Sequence, residues 1–246
     1  DAMYSKATRF LKKDCLDLPK KIYTSRIVEM TPLQSKAYKE MRDYFVTMIE
    51  SMSDKVIAPI VLVQMLRLCQ ITSGFVKDIV KNEIEIPDNP KILALADLLD
   101  ECSGESMIVW CRFKHDIRRI GELCKEKELT YVEFSGETKE EERHELVKLF
   151  QAGTAQVFIA NPQTGGYGLN LTKATTVVFY SNDFSLSNRM QAEDRTHRIG
   201  LEAPVTYVDI LCNNTIDVSI INLLREKRNV AELITRDYIR NLLDGM

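Results

Sequence analysis

Apolar positions along the chain follow three patterns, and each predicts a different kind of structure. From Thr31 to about Gly74 they recur at helical spacing. Leu33, Ala37, Tyr38, Met41, Phe45 and Met48 follow one another at intervals of one, three or four residues, mostly on one face. Thr31 can cap this helix, and Pro32 suits its first position because an amide there would have no helical partner. A second apolar helix, from about Ala58 to Ile71, ends at the Ser73-Gly74 break. Residues 76–90 are polar, contain Pro87, Asn89 and Pro90, and predict a linker or a small hairpin.

From Pro90 to Leu211 the pattern changes to strands alternating with helices. One helix carries Ile92, Leu95, Ala96 and Leu99 on a stripe. Residues 107–111 are a short apolar run of strand length, and an amphipathic helix follows through Ile117, Ile120 and Cys124. Residues 131–134 form the next strand, with a helix from about Lys139 to Phe150 after it. Further β-branched or aromatic runs occupy residues 157–160, 176–180 and 205–211. Short buried strands separated by helices of about 10–15 residues indicate βαβ units and a parallel sheet covered on both faces. Ligands of such sheets bind beyond the carboxyl ends of the strands, here the segments after Cys111, Phe134, Ala160 and Tyr180. After Leu211, the positions Ile216, Ile220, Leu223, Leu224 and Ala231 suit a long amphipathic helix that braces the body. The fold class is therefore α/β: a parallel sheet with helices on both faces, a small helical region before it and a brace helix after it. The expected divisions are 1–88, 89–211 and 212–246.

Composition narrows the function without choosing one. The 246 residues are 45% hydrophobic and 28% charged, ordinary values for a globular chain. No run approaches the roughly 18 apolar residues of a membrane span. The opening DAMYSKATRF has no charged segment followed by an apolar one, so no signal peptide is expected, and an intracellular location is. A start without Met suits an internal or processed piece. A net charge of −3 gives no overall nucleic-acid signature, so such contacts must be local. Lys6, Arg9, Lys12, Lys13, Lys20 and Lys21 form one basic stretch, whose simpler meaning is a solvated face or linker. The six cysteines (Cys15, Cys69, Cys102, Cys111, Cys124 and Cys212) show no CxxC spacing, which predicts reduced core thiols rather than a metal site. His115, His144 and His197 are too scattered for a metal cluster.

Two segments carry candidate chemistry. The loop after residues 157–160 reads NPQTGGYGLNLT, with three glycines in four positions that let a backbone approach phosphate oxygens. It is also compatible with a simple tight turn. GxxxxGK[ST] occurs nowhere. After Tyr180, Ser185 or Ser187 can cap a helix running to about Arg198 and stopping at Gly200. Gln191, Arg195 and Arg198 then fall at i, i+4 and i+7, projecting from one side. Planar guanidinium donors match phosphate oxygens, and an arginine aimed at a γ-phosphate stabilises transition-state charge. Spacing alone equally permits a surface helix whose arginines pair with Glu193, Asp194 or Glu202.

The segment QAEDRTHRIG at 191–200 resembles motif VI of superfamily two helicases, in the form used by Swi/Snf-type DNA translocases. Other resemblances run in order along the chain. Residues 107–113 (MIVWCRF) resemble the motif IV strand, and Ser135-Gly136-Glu137-Thr138 with Arg143 resembles the segment after it. Residues 165–172 (GGYGLNLT) resemble motif V, and residues 215–234 resemble the closing helix. Upstream, KKDCLDLPKK and TPLQSKAY resemble the stretch leaving the first motor lobe.

The resemblance implies the second, RecA-like lobe of a two-lobed motor, with ATP in the cleft and duplex DNA across both lobes. The Walker A lysine and the carboxylates that hold Mg2+ would come from the N-terminal lobe of the same parent chain, since neither GK[ST] nor DExH occurs here. It implies Arg198 as arginine finger with Arg195 beside it, and Gln191 orienting the γ-phosphate or attacking water. Gly168 and Asn170 would meet the nucleotide. Arg112, Lys114, Ser135, Gly136, Thr164 and Gly165 would contact the DNA backbone, which positions a motor without reading sequence. Neither a membrane nor an obligate oligomer is expected, and this piece alone should hydrolyse little or no ATP. Two positions depart from the family pattern. Leu201 stands where a Gln usually follows HRIG, and Asn161-Pro162 replaces a Ser-Thr pair at the start of motif V. The competing readings are a non-catalytic scaffold that retained the lobe, a motor acting on RNA, and a Rossmann-type dinucleotide enzyme. The last lacks the GxGxxG spacing.

Overall fold

The computed structural model of the chain describes residues 16–51, 57–78, 80, 82–164 and 168–227. Residues 107–212 contribute five strands: β4 (Met107–Trp110), β5 (Tyr131–Phe134), β6 (Val157–Ala160), β7 (Thr176–Phe179) and β8 (Val205–Cys212). Together with β1 (Lys21–Val28) they make a six-stranded sheet in the order β1-β8-β7-β4-β6-β5, every pair parallel. Parallel neighbours need crossovers, and helices supply them. They are α3 (Pro90–Glu101), α4 (Lys114–Glu126), α5 (Glu140–Gln151) and α6 (Leu186–Thr196). This is the α/β parallel sheet expected from the alternating pattern, in the RecA-like form that the family resemblance implies.

The uninterrupted apolar strands exist because both sheet faces are covered. In β4, Met107 and Val109 point into one cluster with Leu95 and Leu99 of α3 and Ile117 and Ile120 of α4. Ile108 and Trp110 point into the opposite cluster with Phe150 of α5 and Ala192 of α6. Strands β6, β7 and β8 alternate the same way, so a one-residue slip would exchange the two cores.

A third cluster lies beyond the sheet. Helices α1 (Pro32–Ser51) and α2 (Ile57–Thr72) pack Phe45, Met65 and Leu68 against Ile216 and Ile220 of α7 (Ile216–Arg225). Thr31 does act at the start of α1, its hydroxyl accepting from the Gln34 amide at 3.3 Å. Tyr38 Oη accepts from the Ile216 amide at 2.8 Å, fixing the helical pair to the start of α7. At 76–90 the hairpin alternative holds: β2 (Phe75–Lys77) and β3 (Glu83–Glu85) pair antiparallel. The expected long brace helix ends sooner, at Arg225, with Glu226 as its C-cap and Lys227 at φ 58°; Ala231 lies outside the described residues.

One element departs from expectation. Residues 21–28, assigned by pattern to a helical lead-in region, form the edge strand β1 in continuous register with β8, from Lys21↔Val205 to Val28↔Cys212. Its neighbour lies on one side only and most of its positions are exposed, so KIYTSRIV carries no buried periodicity to betray it. Tyr23 stacked on Tyr207, with ring centroids 5.3 Å apart, anchors it to the sheet.

Candidate functional site

Helix α6 leaves the carboxyl edge of the sheet and must run back toward the amino edge to feed the parallel strand β8. Ser185 caps it, accepting from the Asn188 amide at 3.2 Å. The helix ends at Thr196, two residues earlier than the sequence predicts. His197 turns away at φ −81°, ψ 80°, so Arg198 is not on the helix and the i+7 geometry does not apply to it. Arg198 lies on the turn beyond, closed by Gly200 at φ 95°, a conformation that favours glycine. Gln191 and Arg195 remain one turn apart on one face. The Gln191 amide is exposed and donates to Ser187 Oγ at 3.3 Å.

The turn still brings Arg198 back to the glycine-rich segment. Its Nη1 donates to the Gly168 carbonyl at 3.3 Å. One residue pair closer to the sheet, the Leu171 amide donates to the Arg195 carbonyl at 3.0 Å. Leu169 and Leu171 are buried in the core, so the alternating Gly168 and Asn170 are left exposed. Gly168 sits at φ 61° with open space where a Cβ would be. Gly168, Asn170, Arg195 and Arg198 thus share one surface.

This surface carries two guanidiniums, offset in part by the neighbouring Asp194 carboxylate. Arg195 is half-buried, and its Nε is buried without a hydrogen-bond partner among the described residues. Burial first, and the neighbouring Arg198 second, lower its pKa below the ordinary guanidinium value. Pairing of Arg195 or Arg198 with Glu193 is not what the helix does. Glu193 is turned to the opposite side, where Arg189 Nε (2.9 Å), Lys21 Nζ (2.8 Å) and Tyr23 Oη (2.7 Å) donate to it. A surface with two cations, an orphaned donor and an open glycine backbone suits an anion with several oxygens, such as a phosphate chain.

The carboxyl edge forms a second cluster. The Arg112 amide donates to Ser181 Oγ and its carbonyl accepts from Asn161 Nδ2, each at 2.8 Å. Its guanidinium lies 3.9 Å from the Phe184 ring centroid and 3.8 Å from Asp183. Arg112 therefore ties together the loops after β4, β6 and β7, with its side chain mostly covered. Lys114 is exposed and paired with Glu137. The Ser135 amide donates to Thr138 Oγ1 at 2.9 Å, and a Cβ on Gly136 would meet the Thr164 methyl at 3.7 Å. Arg112, Lys114, Ser135, Gly136 and Thr164 hence gather at one edge, away from the arginine turn. Gly165 lies outside the described residues.

Both departures from the family pattern have a local use. Asn161 accepts from the Gln163 amide at 2.8 Å while its own amide holds Arg112, and Pro162 is buried beneath this turn. Leu201 packs its side chain against the core cluster under α5 and α6.

Sequence reasoning missed the network that holds α6 down. Arg189 donates from Nη1 to Asp209 Oδ1 at 2.5 Å and to Asn182 Oδ1 at 2.9 Å, and lies 3.4 Å from the Phe179 ring centroid. Burial alone would lower the Arg189 pKa, but Asp209 and Glu193 raise it. The available signal was Asp209 itself, a lone acid inside the apolar strand VTYVDILC.

The chain is similar to known proteins in sequence and in fold. Residues 90–200 match the family described as helicase conserved C-terminal domain. The chain is 32% identical over 152 residues to the chromatin-remodeling ATPase INO80 of Mus musculus, covering 61% of this chain and 10% of that protein. It therefore spans about a tenth of that relative's length. Among solved structures, the C-terminal part of the Fun30 ATPase domain superposes with a TM-score of 0.68 at 16% identity, covering 93% of this chain and 97% of that one. The Sulfolobus solfataricus SWI2/SNF2 ATPase core in complex with dsDNA gives a TM-score of 0.71 at 23% identity, covering 93% and 48%. At those identities the likeness is one of fold.

Proposed function

Residues 90–200 are a helicase conserved C-terminal domain of the Swi/Snf-type superfamily two ATPases, and from that premise we propose that the chain is the second motor lobe of an ATP-dependent duplex-DNA translocase. The observation that carries this reading is the pair Arg195, with its orphaned buried Nε, and Arg198 beside the open Gly168 backbone. Arg198 acts as the arginine finger and Arg195 supports it. Gln191 orients the γ-phosphate or the attacking water, and Gly168 and Asn170 face the nucleotide.

ATP binds first to the other lobe, and closure brings the two guanidiniums onto its phosphates. An orphaned, half-buried donor gains its hydrogen bond only then, so ATP favours the closed state more than ADP does. Only such differential affinity can drive a conformational cycle. Mg2+ neutralises phosphate charge in such reactions. Its protein ligands would be the carboxylates of the first lobe, as the family resemblance implies.

Lys114, Ser135, Gly136, Thr164 and Gly165 contact the DNA backbone at the carboxyl edge, with Arg112 chiefly shaping that edge. Residues 1–88 lead in from the first lobe, 89–211 form the motor lobe and 212–246 brace it. No helix among the described residues is long and apolar enough to cross a membrane. DNA as substrate places the protein's work inside the cell.

The test is ATP turnover by the 246-residue chain alone and by the same chain joined to its first lobe, each with and without duplex DNA or RNA. We expect negligible turnover by the chain alone and duplex-DNA stimulation of the two-lobed form. Appreciable turnover by the chain alone contradicts the division of labour. A two-lobed protein that no DNA stimulates supports the scaffold reading instead.

A further inference from the structure

The face of α6 opposite its phosphate-facing side is gripped by the segment that enters β1. Lys21 Nζ and Tyr23 Oη both donate to Glu193 Oε2, at 2.8 and 2.7 Å, while Arg189 holds Oε1 at 2.9 Å. Farther along, His197 Nε2 lies 2.9 Å from the Pro19 carbonyl. A carbonyl only accepts, so the ring donates from Nε2. Tyr207 Oη donates to the Glu193 carbonyl at 3.2 Å, and its ring stacks on Tyr23. Three residues of a five-residue stretch therefore touch the two positions, Glu193 and His197, that bracket Arg195.

These contacts do little for the core. Ile22 and Tyr23 are each 49% exposed, and β1 meets the sheet along one side only. Those of Lys21 and Tyr23 are nonetheless charge-assisted bonds to a buried carboxylate, about twice as strong as neutral ones. Burial would raise the Glu193 carboxyl, but Arg189 and Lys21 hold it below its ordinary range, so it is ionised at neutral pH. Strong bonds that reach sideways from an exposed edge strand fix the position and angle of the helix beside it.

We propose that residues 19–23 form a positioning strap for the arginine helix. Lys21 and Tyr23 act through Glu193, and Pro19 through His197, to set where the last turn of α6 presents Arg195 and Arg198. The proposal rests on the motor reading. It adds that the path of chain leading into the lobe governs the aim of the arginines.

The experiment uses the two-lobed protein with Glu193→Gln, Tyr23→Phe, Lys21→Met and Lys21→Arg. Displaced catalytic groups cost up to about a hundredfold in rate. We therefore expect Glu193→Gln, Tyr23→Phe and Lys21→Met to lower kcat roughly ten- to a hundredfold, with KM for ATP and duplex-DNA affinity within about twofold of wild type. Lys21→Arg keeps a cationic donor and restores most of the rate. In parallel, amide hydrogen exchange on the 246-residue chain should speed up at residues 194–198 in Glu193→Gln, with β4, β6 and β7 unchanged. Unaltered kcat, unaltered exchange at 194–198, or Lys21→Arg no better than Lys21→Met overturns the strap. If the wild-type two-lobed protein shows no DNA-stimulated hydrolysis, the motor reading fails by itself, and the exchange measurement still decides whether the strap holds the helix.

Discussion

Helix α6 and its following turn carry three arginines used in two opposite ways. Arg189, near the start, has Asp209, Glu193 and Asn182 on its guanidinium and the Phe179 ring against its face. Among the described residues, Arg195, six residues on, has an orphaned buried Nε, and exposed Arg198 donates to the Gly168 carbonyl. The residue type is the same, but carboxylates bond the guanidinium directly at one end, while at the other Asp194 lends charge and the Nε stays unbonded. A guanidinium already saturated by carboxylates stabilises a helix and can do little else. One left partly desolvated without a partner carries a cost that an arriving anion removes. The contrast separates the anchor of the helix from its working end.

On stability, the largest effect tests the anchor. Arg189→Met leaves Asp209 and Glu193 buried near each other without their shared cation, a loss of about 3–5 kcal/mol for a broken buried pair. Urea unfolding of the 246-residue chain measures it, and a loss below about 1 kcal/mol would erase the distinction between the two ends. At the other extreme is the exposed Lys114–Glu137 pair. Lys114→Ala should change stability by less than about 0.5 kcal/mol while reducing the salt dependence of duplex-DNA binding by about one phosphate contact. An unchanged salt slope would remove Lys114 from the DNA edge.

The sheet was legible because both faces are buried. Runs such as MIVW and VFIA stand out wherever helices cover both sides, and β4, β5 and β6 lie where the apolar runs place them. Strand β1 was not legible, since an exposed edge carries no burial period, and its partner β8 lies 184 residues away at the Lys21↔Val205 pair. At the site, the spacing of Gln191 and Arg195 gave a shared face correctly, and it misplaced Arg198 because the helix stops at Thr196. Nothing local distinguishes Arg189 from Arg195. Only the fold brings Asp209 beneath the first and leaves the second bare. The carboxyl-edge rule pointed to the segments that hold Arg112, Asn161 and Asp183, but the arginine turn lies where α6 has run back toward the other edge, so that rule could not find it.

The central claim is that the bare end of α6 works on phosphate. The most direct measurement is steady-state, duplex-DNA-stimulated ATP hydrolysis by the two-lobed protein carrying Arg198→Ala, with urea unfolding of the same variant as its control. Arginine fingers contribute about 10³-fold or more to turnover. The account predicts a fall of that size in kcat with an unchanged unfolding midpoint, because Arg198 is exposed and makes one hydrogen bond to a carbonyl. Near-wild-type turnover in a folded Arg198→Ala protein would contradict it.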